Sequence, residues 1–201
     1  MRTNYTVMMN RLVLRVFQRE VQRQCRFAMI ASEEMENALR LSETSEIAES
    51  IIHDEYFWYS LQAFLIAVGN VSKLLWPSPP RSGKQQIIPD RGERLRESLD
   101  VPEDSCLQSR RLRNHFEHFD ERLEGWANPK KLAHSMIDSN FVYSDLLDEG
   151  KLNSVFHNVF RNYDPERNIA IFQGERYEVR PMFNEVEELW QKASAEIRKP
   201  Y

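Results

Sequence analysis

The chain has 201 residues, 29% of them charged, and a formal net charge of −4 at neutral pH. That length suits one domain, or one domain with an appendage, and is enough to bury a real core. The negative balance excludes a globally basic nucleic-acid binder, so any RNA contact has to come from local arginine clusters.

Cys25 and Cys106 show no CxxC or paired spacing, which fits a reducing cytosol rather than a disulfide scaffold. The N-terminal MRTNYTVMMN lacks the apolar block of a secretory signal. The most apolar run, Phe64 to Trp76, is interrupted by Asn70, Ser72 and Lys73 and is too short to cross a bilayer. A cytoplasmic protein with no membrane partner is expected.

In chain order, a first helix is expected from near Asn10 to about Leu41, because no Gly or Pro interrupts that stretch. Val13, Leu14, Phe17, Val21 and Ala28 form its apolar stripe. Arg11, Arg15, Arg19 and Arg23, with Arg26 close by, step along another face. Such a strip can follow an RNA backbone, although a solvated helix face explains it as well and is the commoner case.

Ser42, Thr44 and Ser45 make a polar joint from which one residue is expected to cap a second helix. That helix should run to Leu75, with Pro77 ending it. Two helices of about 30 residues are about 45 Å long and most simply pair as an antiparallel hairpin. Ile51, Ile52, Tyr56, Phe57, Tyr59, Leu61, Phe64, Leu65 and Val68 surround much of the second helix, as in a central core helix or a dimer face. The consecutive aromatics Tyr56 to Tyr59 can stack on bases, but four aromatics in a buried helix more often serve packing.

Trp76 to Gln86, WPSPPRSGKQQ, reads as a loop made basic by Arg81 and Lys84. Its Gly83-Lys84 is no phosphate-binding loop, since Ser78 replaces the first glycine and Gln85 the Ser or Thr. Arg91, Arg94 and Arg96 extend the basic character into a short helix expected over Gly92 to Leu99. Glu103 and Asp104 then suit the approach to a helix N-terminus.

That next helix is expected over Leu107 to Trp126, LQSRRLRNHFEHFDERLEGW. At about 100° per residue, Leu112, Phe116, Phe119 and Leu123 fall in one narrow arc and form a buried stripe. Arg110, Arg113, Asn114, Glu117, His118 and Glu121 occupy the opposite side, and this arginine, amide and imidazole together suit chemistry on a phosphate. The same residues also serve as exposed ion pairs if Arg113, Glu117 and Glu121 simply line a helix face.

Beyond Gly125 a short helix is expected from Pro129 to Ile137, then a brief strand at Phe141 to Tyr143. Strand-like stretches follow at Val155 to Phe160, Asn168 to Phe172 and Arg176 to Val179, and Gln173-Gly174-Glu175 lies between the last two. A β-hairpin or three-strand meander results. Pro181 fits the first turn of a last helix, whose Phe183, Val186, Leu189, Trp190, Ala193 and Ile197 keep helical spacing and pack back on the bundle. His134 and His157 have no evident partners. Glu49 with His53, and His115 with His118, sit one turn apart but show no second matching element, so no metal site and no cofactor are expected.

Arg113-Asn114-His115-Phe116-Glu117-His118 forms an Arg-x4-His pattern with asparagine directly after the arginine, and here the chain resembles the HEPN family of small helical-bundle proteins. Many members of that family are ribonucleases. Where many members carry a tyrosine two places after the histidine, this chain has Asp120. The resemblance implies a mainly α fold with a HEPN-like bundle over residues 1–126 built on the long helix pair; residues 127–201, from their strand and helix signals, are expected to form an α/β appendage packed on it. It also implies a homodimer in which two copies complete one composite site. Arg113, Asn114 and His118 are then the catalytic residues, and Arg110, Arg111, Arg81 and Lys84 the RNA-binding ones.

The expected activity is a metal-independent endoribonuclease, possible partners being RNA and an antitoxin protein in a toxin–antitoxin or defence setting. A HEPN-like module that binds RNA or protein without catalysis is the alternative. A small-molecule binder with its pocket near the Trp58 to Trp76 aromatics is a third reading.

Overall fold

The computed structural model of the chain describes residues 10–44, 46–78, 88–109, 118–127, 140–141, 160–173 and 175–200. Its first helix, α1, spans Arg11–Thr44. The Asn10 side chain accepts from the Val13 N–H at 2.9 Å, which satisfies one of the amides that a helix start leaves open. Val21, Cys25, Ala28, Met35 and Ala38 form its buried side, with Leu14 and Phe17 packed at the edge.

The joint after α1 is shorter than its polar residues suggest. Helix α2 spans Ile47–Leu75, so α1 continues past Leu41 and takes in Ser42 and Thr44. Neither hydroxyl caps α2. The Ser42 hydroxyl donates to Asp54 at 2.8 Å and lies 3.1 Å from that of Ser50, while Thr44 Oγ1 bonds back to the carbonyls of Arg40 and Leu41. Glu46 takes the N-cap position of α2 without a side-chain bond, and Ser45 lies outside the described residues. With so short a joint the two helices must run antiparallel.

Helix α2 is buried on one side only. Phe57, Leu61, Phe64, Leu65, Val68 and Leu75 are in the core, whereas Ile51, Ile52, Tyr56 and Tyr59 stay exposed. Small buried side chains on both helices, Ala28 and Ala31 on α1 and Ser60 and Ala67 on α2, permit close approach of the axes.

Helix α3, Arg91–Ser98, seats against the C-terminal end of α2. Two of the arginines read as part of a basic surface are used there. Arg96 donates to the Leu75 carbonyl and Arg91 to that of Lys73, supplying cations to the negative end of the α2 dipole. Their guanidinium groups also lie over aromatic rings, Arg91 over Phe17 at 5.0 Å and Arg96 over Trp76 at 5.6 Å. Arg94 pairs with Asp90 at 3.5 Å.

A 3-10 turn at Cys106–Gln108 and a short helix α4, Phe119–Trp126, follow. The sheet has the order β1-β2-β3-β4, with β1 at Asn140–Phe141, β2 at Arg161–Asp164, β3 at Ile169–Phe172 and β4 at Glu175–Glu178. Strands β2 to β4 are an antiparallel meander, and β1 adds to its edge in parallel, pairing Asn140 with Asn162.

Of the strand expected over Val155 to Phe160, residues 155–159 lie outside the described residues, and Phe160 leads directly into a strand on the polar stretch Arg161–Asp164. Tertiary pairing overrides residue preference there: Tyr163 packs on Phe57 of α2 at 4.6 Å between ring centroids, and Asp164 Oδ1 closes the turn by accepting from the N–H groups of Glu166 and Arg167. The short helix expected at Pro129 to Ile137, and Val142 and Tyr143 of the expected strand, lie outside the described residues.

The last helix, α5, spans Val179–Arg198 and buries Val179, Met182, Val186, Leu189 and Ala193. It lies along α1, to which it is tied by the Gln22 amide donating to Ser194 Oγ at 2.8 Å and by Arg15 donating to the carbonyls of Glu196 and Lys199. Tyr163, Ala170, Phe172, Tyr177 and the buried side of α5 join the same core as α1 and α2.

Gly92 makes the docking of α3 possible. A Cβ there would lie 2.5 Å from Pro77 Cδ and 2.7 Å from the Leu75 carbonyl oxygen. Gly92→Ala should therefore cost about 1–3 kcal/mol of stability, although alanine is the better helix former. Urea unfolding of the two proteins checks this, and equal or greater stability of the variant would show that α3 can move away freely.

Candidate functional site

Leu107 to Trp126 does not form one unbroken helix. Its start is the 3-10 turn Cys106–Gln108, after which Ser109 is extended at φ −56° and ψ 116°. At its far end His118 is itself non-helical, at φ −122° and ψ 34°, and α4 begins only at Phe119. Of the expected buried stripe, Phe119 is half-buried and Leu123 is 39% exposed, while Leu112 and Phe116 lie outside the described residues.

Two anchors hold the ends of this stretch. On the entry side, the Glu185 carboxylate of α5 accepts from Ser105 Oγ and from the Cys106 N–H, the latter at 2.8 Å, while Ser105 Oγ in turn accepts from the Leu107 N–H. On the exit side, α4 rests on the sheet. The rings of Phe119 and Trp126 pack on Phe160 at 5.6 and 5.1 Å, Gln173 Nε2 donates to the Arg122 carbonyl at 2.6 Å, and Arg122 pairs with Glu175 at 3.7 Å.

An open cleft of ≈ 210 Å³ lies between the anchors, lined by Cys106, Ser109, Glu175, Arg176, Tyr177 and Met182 among others. Ser109 is the residue before Arg110, so the entry end of the motif stretch borders this cleft.

Among the site residues read from the sequence, His118 is the one the structure describes. It stands at the N-cap of α4 with its side chain 55% exposed and makes no capping bond to the helix amides. Its Nδ1 lies 3.3 Å from Glu121 Oε2. A carboxylate at Nδ1 orients the ring and leaves Nε2 to exchange a proton with whatever binds. Arg113, Asn114, Arg110, Arg111, Arg81 and Lys84 lie outside the described residues.

The arginine strip of α1 is partly used within the chain: Arg15 holds the end of α5, Arg23 pairs with Glu20 at 3.1 Å and Arg26 with Glu33 at 3.7 Å. These contacts favour its reading as a solvated and structural face. Glu49 and His53 remain on one turn of α2. Among the described residues no group of three or more His, Cys, Asp or Glu is arranged to hold a metal ion. None of the described helices is long and apolar enough to cross a membrane.

Sequence reading missed Glu185 as an anchor. The signal was present, because Glu185 lies three residues after Met182 and four before Leu189, on the apolar stripe of α5 itself, where a carboxylate needs a partner.

Searches against family models, curated proteins and solved structures find no match to the chain.

Neither cysteine is an activated nucleophile. Burial raises the Cys25 thiol to about 12, and burial followed by the adjacent Glu185 carboxylate raises Cys106 to about 12 as well. Alkylation of Cys106 at pH 8 should therefore be slow in the native protein. Glu185→Ala should speed it, because the group that disfavours the thiolate is gone, and should cost about 1–3 kcal/mol for the hydrogen bonds lost at Ser105 and Cys106. Mass spectrometry of timed alkylation reads the first effect and urea unfolding the second.

Proposed function

We propose that this chain is a metal-independent endoribonuclease whose site is completed when two copies associate, with Arg113, Asn114 and His118 as its working residues. One observation carries the reading: His118 is held at the surface, at the start of α4, with Nδ1 against Glu121 and its ring not engaged in capping the helix. An exposed imidazole oriented by a carboxylate is the arrangement a general acid or base uses. The Arg-x4-His words with their asparagine, on a chain that begins with two long antiparallel helices, support the same reading.

In this chemistry RNA supplies its own nucleophile. The 2′-hydroxyl oxygen forms a bond to phosphorus as its proton leaves, the bond from phosphorus to the 5′-oxygen breaks, and that oxygen takes up a proton. His118 serves the proton transfers as general base and general acid. Arg113 keeps its charge and offers a planar fork to the phosphate oxygens as negative charge builds in the transition state. Asn114 orients the imidazole or the phosphate by hydrogen bonding. Arg110, Arg111, Arg81 and Lys84 hold the backbone of the RNA through its phosphates. The products carry a 2′,3′-cyclic phosphate and a 5′-hydroxyl, and DNA is left intact. The setting that suits such an activity is a toxin held by an antitoxin protein, or a defence system.

The test is cleavage of a labelled, mixed-sequence single-stranded RNA in the presence of EDTA. Wild type should cut it, His118→Ala should not, and the variant should keep its thermal stability, because an exposed N-cap side chain without a capping bond contributes only about 0.5 kcal/mol or less. Arg113→Lys should be severely impaired, since a point charge does not reproduce the bidentate fork. If folded wild type leaves every RNA intact yet retards it in a gel, the chain is a binding module; full activity of His118→Ala removes the histidine from the mechanism.

A further inference from the structure

Toward its joint, the outer face of the α1–α2 hairpin is not covered by any described element. On α1, Ile30, Glu34 and Leu41 fall within about 40° of one another around the helix axis, on the side away from the buried Cys25, Ala28 and Met35. On α2, Ile52, Tyr56, Tyr59 and Ile66 turn away from the core that holds Phe57, Leu61 and Leu65. Two bonds across the hairpin, Asn70 to Gln24 and Ser42 to Asp54, fix its register, so that Ile30 stands level with Ile66, and Leu41 between the levels of Ile52 and Tyr56. These six apolar side chains range from 42% exposed at Ile30 to 70% at Tyr59. The rings of Tyr56 and Tyr59 lie side by side, their centroids 6.1 Å apart. The result is one apolar strip along paired helices, larger than scattered surface residues require.

The charge around the strip has one sign. Between Phe27 and Ser72 the chain carries eight Asp or Glu residues and one Lys or Arg, so this stretch more than accounts for the net charge of −4. Exposed Glu34 stands in the α1 row and exposed Glu55 one turn from Tyr59 on α2, while Arg19 and Arg23 lie beyond the strip, toward the start of α1. Arg26 pairs with Glu33 and Arg40 donates to Asn37, and neither Glu34 nor Glu55 has a cation partner among the described residues. An acid-edged strip repels the phosphates of RNA and of anionic lipid. A second copy turned about a two-fold axis through the strip would bring Glu34 and Glu55 near the same carboxylates of its partner, and like charges at an interface are costly. What the strip fits is a helix of opposite charge, with aliphatic residues against the tyrosines and isoleucines and Lys or Arg along its flanks. Exposed tyrosines are the side chains that most often anchor such a contact. From Ile52 to Ile66 the strip runs about 21 Å, room for roughly four turns of a partner helix.

We propose that the acid-edged strip of Ile30, Leu41, Ile52, Tyr56, Tyr59 and Ile66 docks a cationic amphipathic helix of another protein, laid along the α1–α2 hairpin, with Glu34 and Glu55 pairing its Lys or Arg side chains. This goes beyond the ribonuclease reading, since it uses neither His118 nor RNA and holds whether or not the chain cuts.

The probe is a fluorescent synthetic helix of about 18 residues, built of Leu on one face and Lys on the other, titrated with the full chain at about 0.15 M salt and followed by anisotropy. Wild type should bind it with a Kd of about 10 µM or tighter, and the same peptide with Glu in place of Lys should not bind at about 100 µM chain. Tyr59→Ala with Ile66→Ala should weaken the Leu/Lys peptide by about tenfold or more. Glu34→Lys with Glu55→Lys should weaken it similarly and admit the Leu/Glu peptide. Helical circular dichroism should be unchanged in both variants, because all four residues are surface positions. No binding by wild type, equal binding of the two peptides, or binding that both variants leave intact overturns the proposal. Sedimentation of the same proteins tests the other occupant: a wild-type dimer that Tyr59→Ala with Ile66→Ala turns into a monomer assigns the strip to a second copy and overturns the proposal too. The titration contains no RNA, so failure of wild type to cut RNA bears on the catalytic reading alone.

Discussion

One buried side of a single helix organises this molecule. Phe57, Leu61, Phe64, Leu65, Val68 and Leu75 are nearly inaccessible along α2, and they can be so only if different elements cover successive parts of the same stripe. The long α1 helix covers one flank, the sheet reaches the other through Tyr163 on Phe57, and α3 closes the end at Leu75. The apolar area that α2 removes from water favours a single arrangement, because sliding any one element would expose part of the stripe. Polar contacts then select the register: Asn70 with Gln24 between the long helices, and Gln22 and Arg15 from α1 to α5.

Buried polar groups at the helix ends are satisfied by side chains borrowed from elsewhere. Carbonyls at the end of α2 are met by Arg91 and Arg96, those at the end of α5 by Arg15, and the start of the 3-10 turn by Ser105 and Glu185. Residues whose charge suggested a nucleic-acid surface are in this way drawn into structure. What remains for function is concentrated where packing is weakest. No residue of α4 is fully buried, so its local opening should be cheap, and the His118 region sits on the most easily rearranged element of the described structure. Glu185 and the sheet restrain the two ends of the motif stretch, at Ser105 to Leu107 and at Phe119 to Trp126.

The two exposed surfaces of the molecule differ in kind. The His118 surface is polar, with Glu121 beside the ring and a cleft bordered by Glu175 and Arg176. The outer hairpin face is apolar along its centre and polarised in charge from end to end. One chain can carry both because α2 uses only part of its circumference for the core.

Sequence alone determined the elements whose signal is local. Hydrophobic spacing located α1, α2 and α5, helped in α1 by the lack of Gly or Pro, turn residues separated β3 from β4, and the apolar residues of α2 marked it as a core helix or a dimer face. Local signals do not say what lies on the other side of a residue. The same 3.6-residue period marks Phe64, which meets the core, and Leu123, which meets water. The strand at Arg161 to Asp164 went unread because it is extended by its pairing with β3 rather than by its own preference. The expected helix through His118 is interrupted because the chain is tied to Glu185 before it and to the sheet after it, and both ties come from residues more than 50 positions further along the chain. The sequence determined which residue types were available for a phosphate-handling site and for a second apolar face; only the tertiary structure decided that His118 stands at a helix start and that Ile66 and Tyr59 face solvent, because long-range packing and not periodicity chooses which face is covered.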